Sequence, residues 1–271
     1  MRLGKALPVW LLPLALNAAT SARLQDQSIA LEIDRAFADA RVSYLLLDAA
    51  DARIIAARWV DPEMPVPVGS LLKPFAALAY GETHGQKFPR LLCKGAAGQC
   101  WLPRGHGALD LPHAIAYSCN AYFLVLARDI DPSAIAAIAQ RFGFAKPTPA
   151  ADASAYIGIG AGWPVAPQAL ARAYCELSAR ATDPELRPIL TGMALSAKSG
   201  TGRGVGSGAY AKTGTAPCIH SPRQPGDGYA IALWPIESPR YALLVSVDGA
   251  PGAQAANVCG RMRSLIGTQP R

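Results

Sequence analysis

The order of strand-like and helix-like segments is the feature that most limits how this chain can fold. Two β-rich runs, 42–48 and 53–60, stand near the start and are separated by a turn-prone Ala-Ala-Asp-Ala segment, a pattern that predicts a hairpin. Three further strand-like runs stand near the other end, at 209–215, 229–235 and 241–248. The remaining periodic segments predict helices at 25–40, 70–81, 109–130, 132–142, 167–180 and 253–266.

The two groups of strands can complete one antiparallel sheet. The sequence therefore predicts an α+β fold: an antiparallel sheet flanked by helices, with an inserted all-helical subdomain over about 71–200 and an active site at the junction. With 271 residues, of which 51% are hydrophobic and 17% charged, the chain can bury a core and is not disordered. We expect a single domain over 23–271.

The first 22 residues predict a signal peptide. Arg2 and Lys5 precede an apolar run over 6–16, and small residues follow as far as Ala22, where a signal peptidase could cut. The run is shorter than the about 20 residues that span a membrane, so a cleaved signal is favoured and a retained anchor is the alternative. We expect the protein to be exported.

The net charge of +7 comes from scattered residues and forms no block. Without Arg clusters and interleaved aromatic residues, nucleic acid is not an expected partner.

Six cysteines form an even set, which permits disulfides in an exported chain. Cys93 and Cys100 share a Gly-rich loop and are the expected pair, and a bridge between 218 and 259 is a second option. Cys119 and Cys175 lie in apolar helical contexts and predict buried thiols. Zinc is disfavoured, because no second Cys or His pair stands at ligand spacing.

Ser70-Leu-Leu-Lys73 is the first segment that carries chemistry. Residues three apart on a helix share a face, so the Lys73 amine can approach the Ser70 hydroxyl and act as its base once its pKa is lowered. At the start of a helix the Ser70 N–H has no intrahelical partner, and it can point at an oxyanion.

Two further segments complete the predicted site. In Ser118-Cys-Asn120, Ser118 can relay a proton and Asn120 can hold a substrate amide; the alternative for both is helix capping. In Lys212-Thr-Gly-Thr215, the charge of Lys212 suits a substrate carboxylate, and the strand can bind a peptide alongside it. The Thr215 N–H is the second predicted oxyanion donor, and the alternative is a surface strand that ends in a turn.

Taken together, the segments resemble the transpeptidase domain of penicillin-binding proteins, which carries a Ser-x-x-Lys, Ser-x-Asn, Lys-Thr-Gly set. The matching stretches are Val68-Gly-Ser-Leu-Leu-Lys-Pro-Phe75, 106–111 leading to Ser118-Cys-Asn-Ala-Tyr-Phe123, Ile157-Gly-Ile-Gly-Ala-Gly162 with the helix after Pro167, and Ala211-Lys-Thr-Gly-Thr-Ala216. The resemblance covers roughly residues 42–260.

This resemblance implies acyl transfer on D-alanyl-D-alanine stem peptides of peptidoglycan, by a DD-transpeptidase or a DD-carboxypeptidase that penicillin acylates. The implied catalytic residues are Ser70, Lys73 and Ser118, and the implied substrate-binding residues are Asn120, Lys212, Thr213, Gly214 and Thr215. The implied partners are the stem peptide, β-lactams and a cell-wall synthesis protein. No metal or organic cofactor is called for. The implied location is the periplasm or the extracytoplasmic face of a bacterial inner membrane.

Two other functions compete with this interpretation. One is a serine β-lactamase of the class D type, although no counterpart of a deacylating glutamate can be assigned. The other is a non-catalytic β-lactam sensor or scaffold. Trp101 and Trp163 stand in loops beside the predicted cleft; packing is their expected role, with substrate lining as the alternative.

Overall fold

A five-stranded antiparallel sheet organises the chain. The computed structural model describes residues 11–148, 151–218 and 226–267, with side chains from residue 24 onward. The sheet has the strand order β2-β1-β7-β6-β5, so that the two ends of the chain interleave and β5 is an edge strand. Its strands are β1 (Val42–Asp48), β2 (Ile54–Arg58), β5 (Tyr210–Ala216), β6 (Asp227–Trp234) and β7 (Tyr241–Val247). All five strands correspond to strand-like runs predicted from the sequence.

The alternation of side chains along β1 shows how the sheet is covered. Leu45 and Leu47 join the larger hydrophobic core with the helical insertion, whereas Tyr44 and Leu46 join a second core on the opposite face. Successive strand residues point to opposite faces, so each face of the sheet packs against a different hydrophobic core. β6 and β7 are buried along their whole length.

The second core contains the terminal helices. α1 (Leu11–Ala36) and α8 (Gly252–Gly267) pack against this face, with Ile29 and Ile33 of α1 fully buried. The predicted cleavage position at Ala22 falls within α1, which is continuous there, and residues 1–10 lie outside the described part. In the ranges that the structure describes, no helix combines the length and the apolar character that a membrane span requires. The signal peptide stays a prediction.

The insertion between β2 and β5 carries the remaining helices. These are α2 (Lys73–Thr83), α3 (Leu111–Ala116), α4 (Asn120–Arg128), α5 (Pro132–Arg141), α6 (Pro167–Ala179) and α7 (Arg187–Ser199). Five of them carry proline in the first turn, where the missing N–H costs nothing. The insertion is not purely helical, because β3 (Leu91–Cys93) and β4 (Gly107–Leu109) pair in a small sheet.

Two helical features differ from the sequence-based expectation. The single helix predicted over 109–130 is broken between α3 and α4, where Ser118 adopts a φ of 52°. α7 was not predicted from the sequence, and a glycine, Gly192, stands inside it. Gly192 is tolerated there because a Cβ would lie 2.7 Å from Ile115 Cβ: the glycine permits the close packing of α7 on α3.

Candidate active site

Ser70 and Lys73 lie where the chain enters the helical insertion. Ser70 belongs to a short 3-10 helix, Gly69–Leu72, and Lys73 is the first residue of α2. The helix predicted to begin at Ser70 is therefore formed, but its first turn is more tightly wound. Residues three apart are eclipsed in a 3-10 turn, so the two side chains leave the turn on the same side.

Ser118 stands in the tight turn between α3 and α4. Its left-handed backbone, with a φ of 52°, costs about 1–3 kcal/mol for a residue other than glycine. The capping alternative is not what the structure shows: Cys119 occupies the N-cap position without a side-chain hydrogen bond, and Asn120 is the first residue of α4. The strained turn instead buries the Ser118 hydroxyl between two lysines.

Lys73 and Lys212 meet at Ser118. Lys212 Nζ, from β5, donates to Ser118 Oγ at 2.9 Å and to the carbonyl oxygen of Thr213 at 2.7 Å. Lys73 Nζ donates to the carbonyl oxygen of Ser118 at 2.8 Å and to Asn120 Oδ1 at 2.6 Å, and lies 3.4 Å from Ser118 Oγ. Three segments distant in sequence thus converge on one hydroxyl.

Both lysines are completely buried, and burial disfavours a charged amine. Burial lowers the pKa of Lys73 to about 7. Burial, and then the positive charge of Lys73, lowers the pKa of Lys212 well below its ordinary value. A lysine with a pKa near neutrality can accept a proton at physiological pH, which an ordinary lysine cannot.

The backbone around Ser70 packs directly on strand β5. A Cβ built on Gly69 would lie 2.9 Å from the Thr215 nitrogen, and one built on Gly214 would lie 3.2 Å from the Ser70 nitrogen. The two glycines therefore permit the amides of Ser70 and Thr215 to approach one another. An oxyanion hole requires two N–H donors close together, and this close packing of the two backbone segments is compatible with one.

The hydroxyl groups of the three predicted site residues Ser70, Thr213 and Thr215 differ in their partners. Thr213 Oγ1 donates to Thr201 Oγ1 at 2.6 Å, and Thr215 Oγ1 accepts from the Gly252 N–H at 3.0 Å. Within the described residues the Ser70 hydroxyl has no hydrogen-bond partner. The two threonine hydroxyls hold β5 in place, while the Ser70 hydroxyl is unengaged.

The sequence interpretation missed one contact that positions the site. The buried Tyr174 hydroxyl of α6 donates to the Leu71 carbonyl oxygen at 2.7 Å, which fixes the turn that carries Ser70. The matching stretch after Pro167 pointed to this helix, but not to the hydrogen bond.

The two tryptophans have different environments. Trp101 is 51% exposed, and its Nε1 donates to the Ser118 carbonyl oxygen at 3.1 Å, so it borders the site. Trp163 is buried and donates to the Ala145 carbonyl oxygen, which confirms packing as its role.

The predicted disulfides are not formed. No disulfide joins any of the six cysteines, so the pairing of Cys93 with Cys100, and the second option of 218 with 259, are wrong. Cys100 Sγ instead lies 3.4 Å from His106 Nδ1 and 3.8 Å from Cys119 Sγ, well beyond the about 2.05 Å of a disulfide bond. The expectation against zinc stays a prediction, but the fold brings His106 and Cys119 beside the two loop cysteines, a proximity that ligand spacing in the sequence did not show.

Gly158 offers a test of how tightly the Ser70 turn is held. Its φ is +74°, and a Cβ would lie 1.9 Å from the Gly69 carbonyl oxygen. We expect Gly158→Ala to displace the Ser70 turn and to lower the rate of acylation by labelled penicillin about 10²-fold, the cost typical of a 1 Å misplacement.

Gly160→Ala is the matched control for this prediction. Gly160 has a φ of +77°, but a Cβ there would meet nothing within 4 Å. It therefore shares the backbone strain without the clash and should label nearly normally. Equal losses in the two variants would show that strain, not contact with Gly69, is responsible.

Known structures share this architecture. Penicillin-binding protein 2 of Pseudomonas aeruginosa, in complex with WCK 5153, aligns with a TM-score of 0.74 at 18% identity, covering 91% of this chain and 74% of that one. The transpeptidase domain of Burkholderia pseudomallei penicillin-binding protein 3 aligns at 0.70 with 16% identity, covering 90% and 93%. Penicillin-binding protein 2 of Helicobacter pylori, in complex with MreC, aligns at 0.72 with 17% identity, covering 89% and 62%.

No curated protein sequence is significantly similar to this chain. Residues 67–262, more than half of the 271 residues, match the family model described as penicillin binding protein transpeptidase domain. With the α+β fold and the three motif segments in place, the chain belongs to the penicillin-binding protein transpeptidase domain family.

Proposed function

We propose that this domain is a serine acyltransferase that acts on D-alanyl-D-alanine stem peptides of peptidoglycan, as a DD-transpeptidase or a DD-carboxypeptidase, with Ser70 as its nucleophile. One observation carries the proposal. The Ser118 hydroxyl is hydrogen-bonded to Lys212 and lies 3.4 Å from the buried Lys73 amine, whose helical turn also carries Ser70.

Acylation follows from these positions. Neutral Lys73 takes the proton of Ser70, and Ser70 Oγ attacks the carbonyl carbon between the two D-alanines. The amides of Ser70 and Thr215 hold the oxyanion, and each such donor is worth about 2.7–4 kcal/mol. The C–N bond then breaks, and the departing D-alanine receives the proton from Lys73 through Ser118. Water or an amine afterwards attacks the acyl-enzyme.

The substrate lies along the edge strand in this proposal. β5 pairs with β6 on one side only, so a peptide can add to its other side through backbone hydrogen bonds. The Thr213 and Thr215 hydroxyls already form hydrogen bonds within the protein. We therefore assign substrate binding by these two residues to their backbone N–H and C=O groups. The Lys212 amine donates to the substrate carboxylate, whose negative charge favours the protonated form of this buried lysine, and Asn120 orients an amide.

The described surroundings of the two lysines lack the glutamate that is one of the two groups serine β-lactamases use to hydrolyse the acyl-enzyme, a modified lysine being the other. Among the described residues, no carboxylate hydrogen-bonds to Lys73, Ser118, Asn120 or Lys212. A β-lactamase needs a base that activates water against the acyl-enzyme, and a glutamate is one established solution. We therefore place β-lactamase activity second.

Substrate chemistry also sets the proposed location and partners. Peptidoglycan lies outside the cytoplasmic membrane, so we propose export, with residues 1–22 as the signal. The H. pylori penicillin-binding protein 2 was solved with MreC, which supports a cell-wall synthesis protein as a partner here.

Two measurements test the proposed function. The first is release of D-alanine from a diacetyl-Lys-D-Ala-D-Ala peptide, with and without an added amine. Release with water alone indicates a carboxypeptidase, and an aminolysis product indicates a transpeptidase.

The second measurement is labelling by fluorescent penicillin, followed by a chase with unlabelled drug. A stable adduct supports the proposal, and rapid loss of the label would support a β-lactamase. A stable adduct without D-alanine release or aminolysis indicates a sensor. Absence of any adduct would leave only a scaffold role and overturn the enzyme assignment.

A further inference from the structure

Four side chains beside the proposed active site gather into a compact cluster: Cys93, Cys100, His106 and Cys119. Their ligand atoms, three Sγ and one ring nitrogen, all lie within 4.8 Å of one another. Cys93, Cys100 and Cys119 are buried, and His106 is half-buried. The mechanism above uses none of these four groups.

Three of the six spacings within the cluster match those of ligands around a tetrahedral ion. With Zn–S bonds of about 2.3 Å and Zn–N bonds of about 2.0–2.1 Å, a tetrahedron has S···S edges of about 3.8 Å and S···N edges of about 3.6 Å. The Cys100 and Cys119 sulfurs are 3.8 Å apart. His106 Nδ1 lies 3.6 Å from Cys93 Sγ and 3.4 Å from Cys100 Sγ.

The loop that joins β3 to β4 is folded so as to bring three of these groups together. Cys93 ends β3, and the chain returns to His106 just before β4. A Cβ on Gly95 would lie 1.9 Å from the Pro103 carbonyl oxygen, and one on Gly105 would lie 2.2 Å from the Cys93 carbonyl oxygen. The two glycines permit this close return, and the turn before α4 adds Cys119.

The chemistry of the cluster suits a cation. The Cys100 sulfur accepts hydrogen bonds from the backbone amides of Leu102, Ala121 and Asn120, and such donors behind a ligand are typical of metal-bound thiolates. The His106 ring stacks on Tyr117, with centroids 5.7 Å apart and planes at 12°. The ring is thereby held with Nδ1 toward the sulfurs.

From this geometry we infer that Cys93, Cys100, His106 and Cys119 form a structural zinc site. Thiolate and imidazole ligands in a tetrahedral set select Zn²⁺ among common divalent ions. Three thiols lose their protons to solvent on binding, so that three thiolates, a neutral imidazole and one Zn²⁺ carry a net charge of −1. Four protein ligands leave no open position, so the ion stabilises structure and does not activate water.

A bound ion would stabilise the small β3–β4 sheet and hold it next to the Ser118 turn. β3 and β4 are three residues long each, and so short a two-stranded sheet is marginal without further support. Cys119 stands between Ser118 and Asn120, so a bound ion ties this sheet to the strained turn that holds the Ser118 hydroxyl. This consequence for catalysis rests on the proposed function, but binding of the ion does not.

The experiment measures metal content directly. The full chain is expressed in zinc-supplemented medium, purified under reducing conditions and analysed by inductively coupled plasma mass spectrometry. We expect about one zinc per chain in the wild type and in Cys259→Ala, a control that removes a buried thiol of α8 far from the cluster. Cys100→Ala should lose nearly all of the metal.

A second readout covers the case in which Cys100→Ala fails to fold. Wild-type protein loaded with Co²⁺ should show the sulfur-to-cobalt charge-transfer bands and intense d–d bands of a tetrahedral thiolate site, and X-ray absorption of the zinc form should show three sulfurs and one nitrogen. Wild type that carries no zinc and shows no such spectrum, or a mapped disulfide among the three cysteines, would overturn the inference. These readouts are independent of acylation.

Discussion

Ser70→Ala is expected to form no covalent adduct with labelled penicillin and to release no D-alanine. The change removes the only atom that the proposed mechanism bonds to the substrate, while the Ser70 amide, the lysines and Ser118 remain. Since the Ser70 hydroxyl makes no hydrogen bond within the described residues, its loss should hardly change the melting temperature. Intact-mass spectrometry after exposure to penicillin measures the adduct.

Ser238→Ala is the control for Ser70→Ala. Ser238 is exposed in the turn between β6 and β7, and this variant should be labelled like the wild type. Labelling of Ser70→Ala at the wild-type level would remove Ser70 from the mechanism, and peptide mapping of the adduct would then locate the true nucleophile.

Lys73→Met is expected to lower the acylation rate about 10³-fold, within the range that a positioned general base contributes. The side chain stays long and apolar, but the amine that takes the Ser70 proton is lost. Asn120 Oδ1 also loses its donor, whereas the Ser118 carbonyl oxygen keeps the hydrogen bond from Trp101; an acceptor left unsatisfied inside the protein costs about 1–3 kcal/mol. A lower melting temperature should accompany the slower reaction.

The pH dependence separates the role of a base from a merely structural role. Burial lowers the pKa of Lys73 to about 7, and only the neutral amine can accept a proton. In the wild type, the acylation rate should therefore be low under acidic conditions, rise with pH through about 7 and then level off. Lys73→Met should retain a small rate without this step.

Lys198→Met is the control for the lysine change, since Lys198 is exposed near the end of α7. It should keep both the rate and the step in the pH profile. A profile of Lys73→Met that still rises through about 7 would assign the titrating group elsewhere, with Lys212 as the next candidate.

The fold was largely predictable because its pattern is local. The five strands of the main sheet each carry their own periodicity, and α2, α5 and α6 carry a proline in the first turn that marks a helix start, so these elements could be placed from the sequence. The break at Ser118 could not, because a φ of 52° at a serine has no local signal. α7 was not predicted although it also carries a proline in its first turn, and the packing of its Gly192 on Ile115 of α3 is seen only in the fold.

The eight site residues were predicted from motif spacing, but the spacing did not show their contacts. The structure makes Ser118 the meeting point of Lys73 and Lys212. It also adds Tyr174 as the anchor of the Ser70 turn. Such long-range contacts depend on how whole elements pack, which no short window of sequence records.

The sequence by itself determined the order of elements, the three motif segments and their chemistry, because side-chain type and short-range spacing are properties of the chain. Only the tertiary structure decided which side chains lie close together and which are buried. It buried Lys73 so that its pKa falls, and it brought Cys119 to Cys93, Cys100 and His106 where disulfides had been expected. Burial and proximity arise only when distant segments pack together. Burial determines the pKa of Lys73, the proposed base, and proximity determines which residues could bind the proposed zinc ion.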